Sequence, residues 1–261
     1  MKALTGLNPP ESGLSGCVYR YCERRINDTR LPADKFTEHR KISEGPTTIL
    51  VNGMRQSQDE INLNVEMAKR AMGSSTGSII SINNITKGFF KDLSRSAVLY
   101  LGGKSVASRS LCEVLKTKIR SSEPVHIHCH SEGALVVRAA LDQLYRDENI
   151  RRKDKINLRK RLKIVSYGGA FIFDKKFCPY VRNHISILDP IPFITRPSII
   201  FKYIRAAILL WVKKTEKTAE RTVIFDHIQF HPCAAENPLK EHSFRGSTYT
   251  LPLYEELKPQ K

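Results

Sequence analysis

The chain lacks any run of the roughly 20 apolar residues that a membrane span requires. Its most apolar stretch, residues 199–212, is broken by Lys202 and Arg205. A secretory signal is also missing from the opening MKALTGLNPPESGLSG, where Pro9 and Pro10 interrupt a segment without an apolar centre. These absences predict a protein without a transmembrane segment, cytoplasmic or exported without a cleaved signal peptide. Cysteine supplies no staples: Cys17, Cys22, Cys112, Cys129, Cys178 and Cys233 are scattered, with no C-x-x-C pair and no zinc-ribbon spacing, which fits a reducing compartment. No repeat of roughly 20 to 50 residues is present, which excludes solenoids and propellers. Acidic side chains are scarce, 26 against 43 Lys and Arg, leaving a formal net charge of +17.

What is present is ordinary globular material: 41% hydrophobic residues, with 14 Gly and 13 Pro, places the chain outside the disordered, collagen-like and coiled-coil classes. Residues 1–46, rich in Pro, Gly, Ser and charge, read as an irregular N-terminal arm, and residues 47–261 as one domain. From Thr47 onward, short β-branched runs (47–52, 78–83, 125–129, 162–167, 184–188 and 222–225) alternate with helical stretches at 58–72, 105–119, 132–145 and 197–214. Parallel neighbours need a crossover of a dozen or more residues, so this alternation predicts an α/β fold with a mainly parallel sheet and helices on both faces. Ligands of such sheets sit beyond the carboxyl ends of the strands, which singles out the residues just after each run. The charged stretch from Arg151 to Lys163 is expected on an exposed face.

The third run leads straight into Cys129-His130-Ser131-Glu132-Gly133-Ala134 and a helical pattern. Strand, tight turn, helix is the context of a nucleophile elbow, G-x-S-x-G, with Cys129 in place of the first glycine and small residues after the serine. Ser131 would be the nucleophile and the backbone N–H of Glu132 an oxyanion donor at a helix N-terminus. The competing reading makes Ser131 a simple helix N-cap. In α/β-hydrolases the acid and then the histidine follow the serine. Asp189, after the fifth run, is the candidate acid. His242, beyond the last run, is the candidate base, with His227 and His231 as competitors. The second oxyanion donor is assigned to the amide of Gly53 or Met54, after the first run.

Several of these segments together resemble an uncharacterised chlamydial protein family that looks like α/β-hydrolases of the lipase or esterase kind. The shared pieces are Cys129 to Ala134, Val51-Asn52-Gly53, Asn84-Ile85-Thr86-Lys87-Gly88, and His242-Ser243-Phe244-Arg245-Gly246-Ser247-Thr248-Tyr249, and the likeness spans roughly residues 46 to 250. Separately, Asp189-Pro190-Ile191-Pro192 resembles the acid loop of triacylglycerol-lipase-like hydrolases. The resemblance implies the fold and a hydrolase site but no substrate.

Two other patterns compete. His126, His128 and His130 alternate along a strand and invite a metal reading, yet no Asp-His pair follows them and His130 is expected in the turn; His126 and His128 read better as strand residues under a helix. The basic charge alone would suit a binding module for nucleic acid, but no nucleic-acid-binding signature accompanies it. Residues 199–214, which mix apolar bulk, Trp211 and basic residues, point instead to peripheral contact with an anionic membrane, to a lid, or to a core helix. The expected function is therefore a serine hydrolase of a lipid or other acyl ester that needs no metal or cofactor. The alternative is a degenerate hydrolase fold acting as a basic binding protein.

Overall fold

A computed structural model describes residues 17–20, 24–26, 45–54, 58–72, 77–84, 89–195, 200–215, 222–232 and 247–258. Among them nine strands form one sheet: β1 (Cys17–Arg20), β2 (Arg24–Ile26), β3 (Thr47–Val51), β4 (Ser78–Asn83), β5 (Val125–His130), β6 (Leu162–Tyr167), β7 (Tyr180–Ser186), β8 (Val223–Phe225) and β9 (Ile228–His231), in the spatial order β2-β1-β4-β3-β5-β6-β7-β9-β8. The six strands from β4 to β9 in that order run parallel, and antiparallel pairs occur at both edges. The crossovers carry α1 (Gln58–Met72), α2 (Phe89–Tyr100), α3 (Val106–Lys118), α4 (Gly133–Arg146), α5 (Arg152–Arg161), α6 (Ile191–Thr195) and α7 (Ile200–Thr215), and α8 (Ser247–Leu257) follows β9.

The expected α/β architecture is present, with three differences of detail. Part of the 1–46 arm is not irregular: β1 pairs antiparallel with β4 and carries β2 outside it. Strands of three or four residues held by main-chain bonds at a sheet edge need no side-chain period, so the pattern could not show them. The last run, 222–225, is an outer strand; a tight turn at Asp226 and His227 returns the chain as β9, which pairs with β7. His130 is the final residue of β5 and not part of the turn.

The two faces of the sheet are chemically unlike. On one, Ile49, Val51, Val125, Ile127, Cys129 and Ile164 pack against α3 and α4 in an apolar core that takes in Leu99 of α2 and Leu158 of α5. Leu158 is the buried side chain of the charged helix α5; Lys155, Arg159 and Arg161 also donate to main-chain carbonyls of neighbouring segments, and most of the helix is otherwise exposed as expected. On the other face α1 and α8 bury Leu50, Ile79, Val165 and Tyr167 with Tyr249 and Leu253. This side also carries His128, Lys163, Arg182 and His184, and buried polar groups are stable only when partnered. Tyr167 hydroxyl meets His128 Nδ1 at 3.0 Å, His184 Nδ1 meets His231 Nε2 at 2.8 Å, and Glu256 of α8 binds Lys163 at 2.8 Å and also Arg182. His128, beside Leu253, and the half-buried His126, beside Glu256 and Leu257, thus lie on the face that α8 covers.

Candidate active site

Ser131 sits between β5 and α4 with φ of +52°, one of two non-glycine residues at positive φ among those described; the other, Asp226, is in the hairpin turn. This conformation costs a non-glycine residue of order 1–3 kcal/mol and persists only where surrounding contacts impose it. Here they do. Ser131 N–H donates to Tyr167 O at 3.2 Å, and Ser131 O accepts from Ala134 N at 3.1 Å and from Ala170 N at 3.0 Å, which locks the turn to β6 and the loop after it. Glu132, not Ser131, is the N-cap of α4. The simple capping reading of Ser131 is set aside by that geometry.

Small residues are required around the turn for identifiable reasons. A Cβ on Gly133 would lie 2.5 Å from Val51 O, and one on Gly53 would lie 2.8 Å from Ser131 Cβ and 3.2 Å from His130 Nδ1. Gly53 therefore lets the end of β3 approach the serine closely. Asn52 fixes that end, its side-chain amide donating to Gly53 O at 3.0 Å while its oxygen accepts from Asn84 N at 2.7 Å. Met54 follows Gly53 in the same turn and is half-buried. Cys129, where an elbow usually has glycine, faces the apolar core, where burial pushes its thiol up to about 12. It behaves as a small hydrophobe, and the elbow forms around it.

Asp189 follows β7 by three residues and is fully buried. Its Oδ1 accepts from Ile191 N at 3.0 Å and its Oδ2 from the hydroxyl of Tyr249 at 2.5 Å. The same hydroxyl accepts from Ser186 N at 3.1 Å, so α8 ties the acid loop to the end of its strand. Gly168, at φ +54°, follows the carbonyl that binds Ser131; a Cβ there would meet Asp189 Oδ2 at 2.4 Å. The elbow and the acid loop thus adjoin through Tyr167 and Gly168, at the carboxyl edge of the parallel strands.

The fold is α/β-hydrolase-like. No family model and no curated protein matches the chain. Among solved structures it is similar to a dienelactone hydrolase from Anabaena variabilis, at 14% identity over 83% of this chain and 86% of that one, with a TM-score of 0.42. It is also similar to a cutinase-like protein from Cryptococcus sp. (12% identity, TM-score 0.32) over 56% of this chain and 62% of that one. A Trichoderma reesei cutinase, crystallised with a phosphonate inhibitor, aligns at 14% identity and TM-score 0.32 over 56% of this chain and 64% of that one. The chain covers less than two thirds of either cutinase.

The structure separates the histidine candidates. His227 lies in the β8–β9 turn at the amino end of the short strand β9, beside Arg182 in the middle of β7 and so well short of the strand ends that lead to Ser131 and Asp189, with its Nδ1 2.8 Å from Asp226. It is removed from the site. His231 ends β9 at the correct edge, but its ring stacks on His184 and its Nε2 is engaged there. Burial, aided by His184, brings it down to about 3 and keeps it neutral. His242 lies outside the described residues.

Residues that local motif reading did not reach hold the elbow from behind. Glu132 is buried, and its carboxylate accepts from Arg95 Nε at 3.0 Å and Nη2 at 2.8 Å, from Ser96 Oγ at 2.8 Å and from Asn84 Nδ2 at 2.7 Å. A carboxylate at a helix N-terminus is favourable, and bidentate Arg pairing fixes its orientation. Only Asn84 was signalled in advance, within the Asn84 to Gly88 segment of the resemblance. Arg95 and Ser96 sit on α2, whose sequence gave no motif. A cavity of about 20 Å³ lies behind the elbow between His128, His130 and Leu253. It has room for one water and not for a substrate.

Proposed function

We propose that the chain is a serine hydrolase that cleaves an ester, of a lipid or another acyl group, through an acyl-serine intermediate. The observation that carries this reading is the backbone of Ser131, held at φ +52° on a strand-to-helix turn against Gly53. Strain kept at one polar residue by its surroundings is a mark of function. In the reaction Ser131 Oγ attacks the carbonyl carbon while His242 takes the hydroxyl proton, and Asp189 orients His242. The oxyanion is held by the amides of Glu132 and of Gly53 or Met54. Collapse expels the alcohol, which receives the proton from His242; water then attacks the acyl-serine by the same route and releases the acid. The chemistry consumes only water and asks for no metal or cofactor.

Labelling by a fluorophosphonate probe tests this reading. The expected result is modification of the wild type and none of Ser131→Ala or His242→Ala, all three folded by circular dichroism. A folded wild type that stays unlabelled, or a labelled Ser131→Ala, overturns it in favour of a binding protein on a hydrolase scaffold.

A further inference from the structure

Helix α7 meets the rest of the fold through its small and polar side. Ala206 is fully buried against Ile185, Val223, Ile228 and Phe230, and the Tyr203 hydroxyl donates to Ile187 O, two residues before Asp189. Among the described side chains of the helix, the large aliphatic and phenyl groups point the other way. Phe201 is 81% exposed, Ile208 58% and Ile204 49%, and intervals of three and four place them along one line of the helix. Lys202 and Arg205, three apart and both exposed, run beside that line. From Ile200 to Thr215 there is no acidic residue, and Lys213 and Lys214 add to the positive charge. A helix serving only the core would turn Phe and Ile inward and Ala outward; this one is inverted.

We infer that this face of α7 docks on an anionic lipid bilayer. The apolar line enters the boundary between headgroups and acyl chains, and Lys202 and Arg205 meet the anionic headgroups beside it. Charge complementarity selects this occupant: the helix offers cations and no anions, on a chain of net charge +17. A nucleic acid would use the cations but leave Phe201, Ile204 and Ile208 in water. The placement also serves chemistry, because Tyr203 fixes α7 to the strand end that leads to Asp189. A docked molecule therefore presents the acid-loop edge of its sheet near the lipid. The inference deepens the lipid-ester reading and rests on it for its purpose, while lipid binding itself is measured without turnover.

The test is co-sedimentation of the full chain with vesicles of phosphatidylcholine alone or mixed with phosphatidylglycerol. Binding is expected to the mixed vesicles and to weaken as salt is raised. Lys202→Gln and Arg205→Gln should each weaken it about fivefold, and Phe201→Ser with Ile208→Ser about tenfold or more. Fluorophosphonate labelling without vesicles should be unchanged in all of these variants. Equal binding to both vesicle types, or unaltered binding by the apolar and basic variants, overturns the inference. So does light scattering that shows a dimer abolished by Phe201→Ser, which would assign the face to a second copy. Vesicle binding without labelling of the wild type would leave docking intact and remove the hydrolase reading; labelling without vesicle binding would do the reverse.

Discussion

Tyr249→Phe removes one oxygen atom and tests whether the acid loop is held from α8. That hydroxyl donates to Asp189 Oδ2 at 2.5 Å and accepts from Ser186 N at 3.1 Å, with Asp189 fully buried. The bond to a charged acceptor is worth roughly 1.5–3 kcal/mol, and a buried N–H deprived of its acceptor costs about 1–3 kcal/mol. The terms overlap because both groups can relax, so a loss of about 3 kcal/mol is expected. For a domain of this size that lowers Tm by about 6–12 °C. Thermal unfolding followed by circular dichroism measures the loss. A double-mutant cycle with Asp189→Asn then isolates the pairwise part, expected at about 1 kcal/mol or more. Labelling of Ser131 should also slow, since an acid free to turn no longer orients the base. A Tm within about 1 °C of wild type and no coupling in the cycle would refute the reasoning.

Ser131→Gly should abolish labelling yet raise stability by about 1 kcal/mol, because glycine adopts φ of +52° without the side-chain penalty; a less stable variant would mean the turn is not strained. Arg95→Met should lower stability by about 2–4 kcal/mol by stripping the bidentate partner from buried Glu132, read by urea unfolding, and an unchanged midpoint would count against it. Acid should destabilise the protein from pH 6.5 downward. Burial holds His128 and His231 at about 3, against 6.5 for a free imidazole, so each is neutral when folded and takes up a proton on unfolding. Stability is fully present above pH 6.5 and is lost as pH falls toward 3, at about 1.4 kcal/mol per pH unit for each. Glu256, kept ionised chiefly by His184 and Lys163 against the opposing effect of burial, shifts downward and adds a loss of the same sign below pH 4.5. A Tm that does not move between pH 7 and pH 5 would contradict this.

The architecture of the protein was legible because its signals are local. The runs at 47–52, 78–83, 125–129 and 162–167 became β3, β4, β5 and β6, and the helix at 58–72 coincides with α1, since β-branched runs and 3.6-residue periods act over a few neighbours. The elbow was legible for the same reason: strand, small residues and helix lie within ten positions around Ser131. Helix α8 was not, because Pro252 breaks its pattern and what fixes it is contact with Tyr167 and Val165.

The sequence by itself determined the α/β class, the excess of positive charge, the strand-turn-helix at Ser131 and the place of Asp189 just beyond a strand, each through short-range pattern and chain order. Tertiary structure alone decided how far along the sheet His227 and His231 fall. They are four residues apart, and the hairpin and the parallel pairing of β9 with β7 leave His227 beside the middle of β7 and carry His231 to its carboxyl end. Tertiary structure likewise decided that Tyr249 holds Asp189 across 60 residues, that Arg95 and Asn84 hold Glu132, and that α7 turns Phe201 outward. These are contacts between segments distant in the chain. They are set by which faces meet when the sheet closes on its helices, and no local period encodes that.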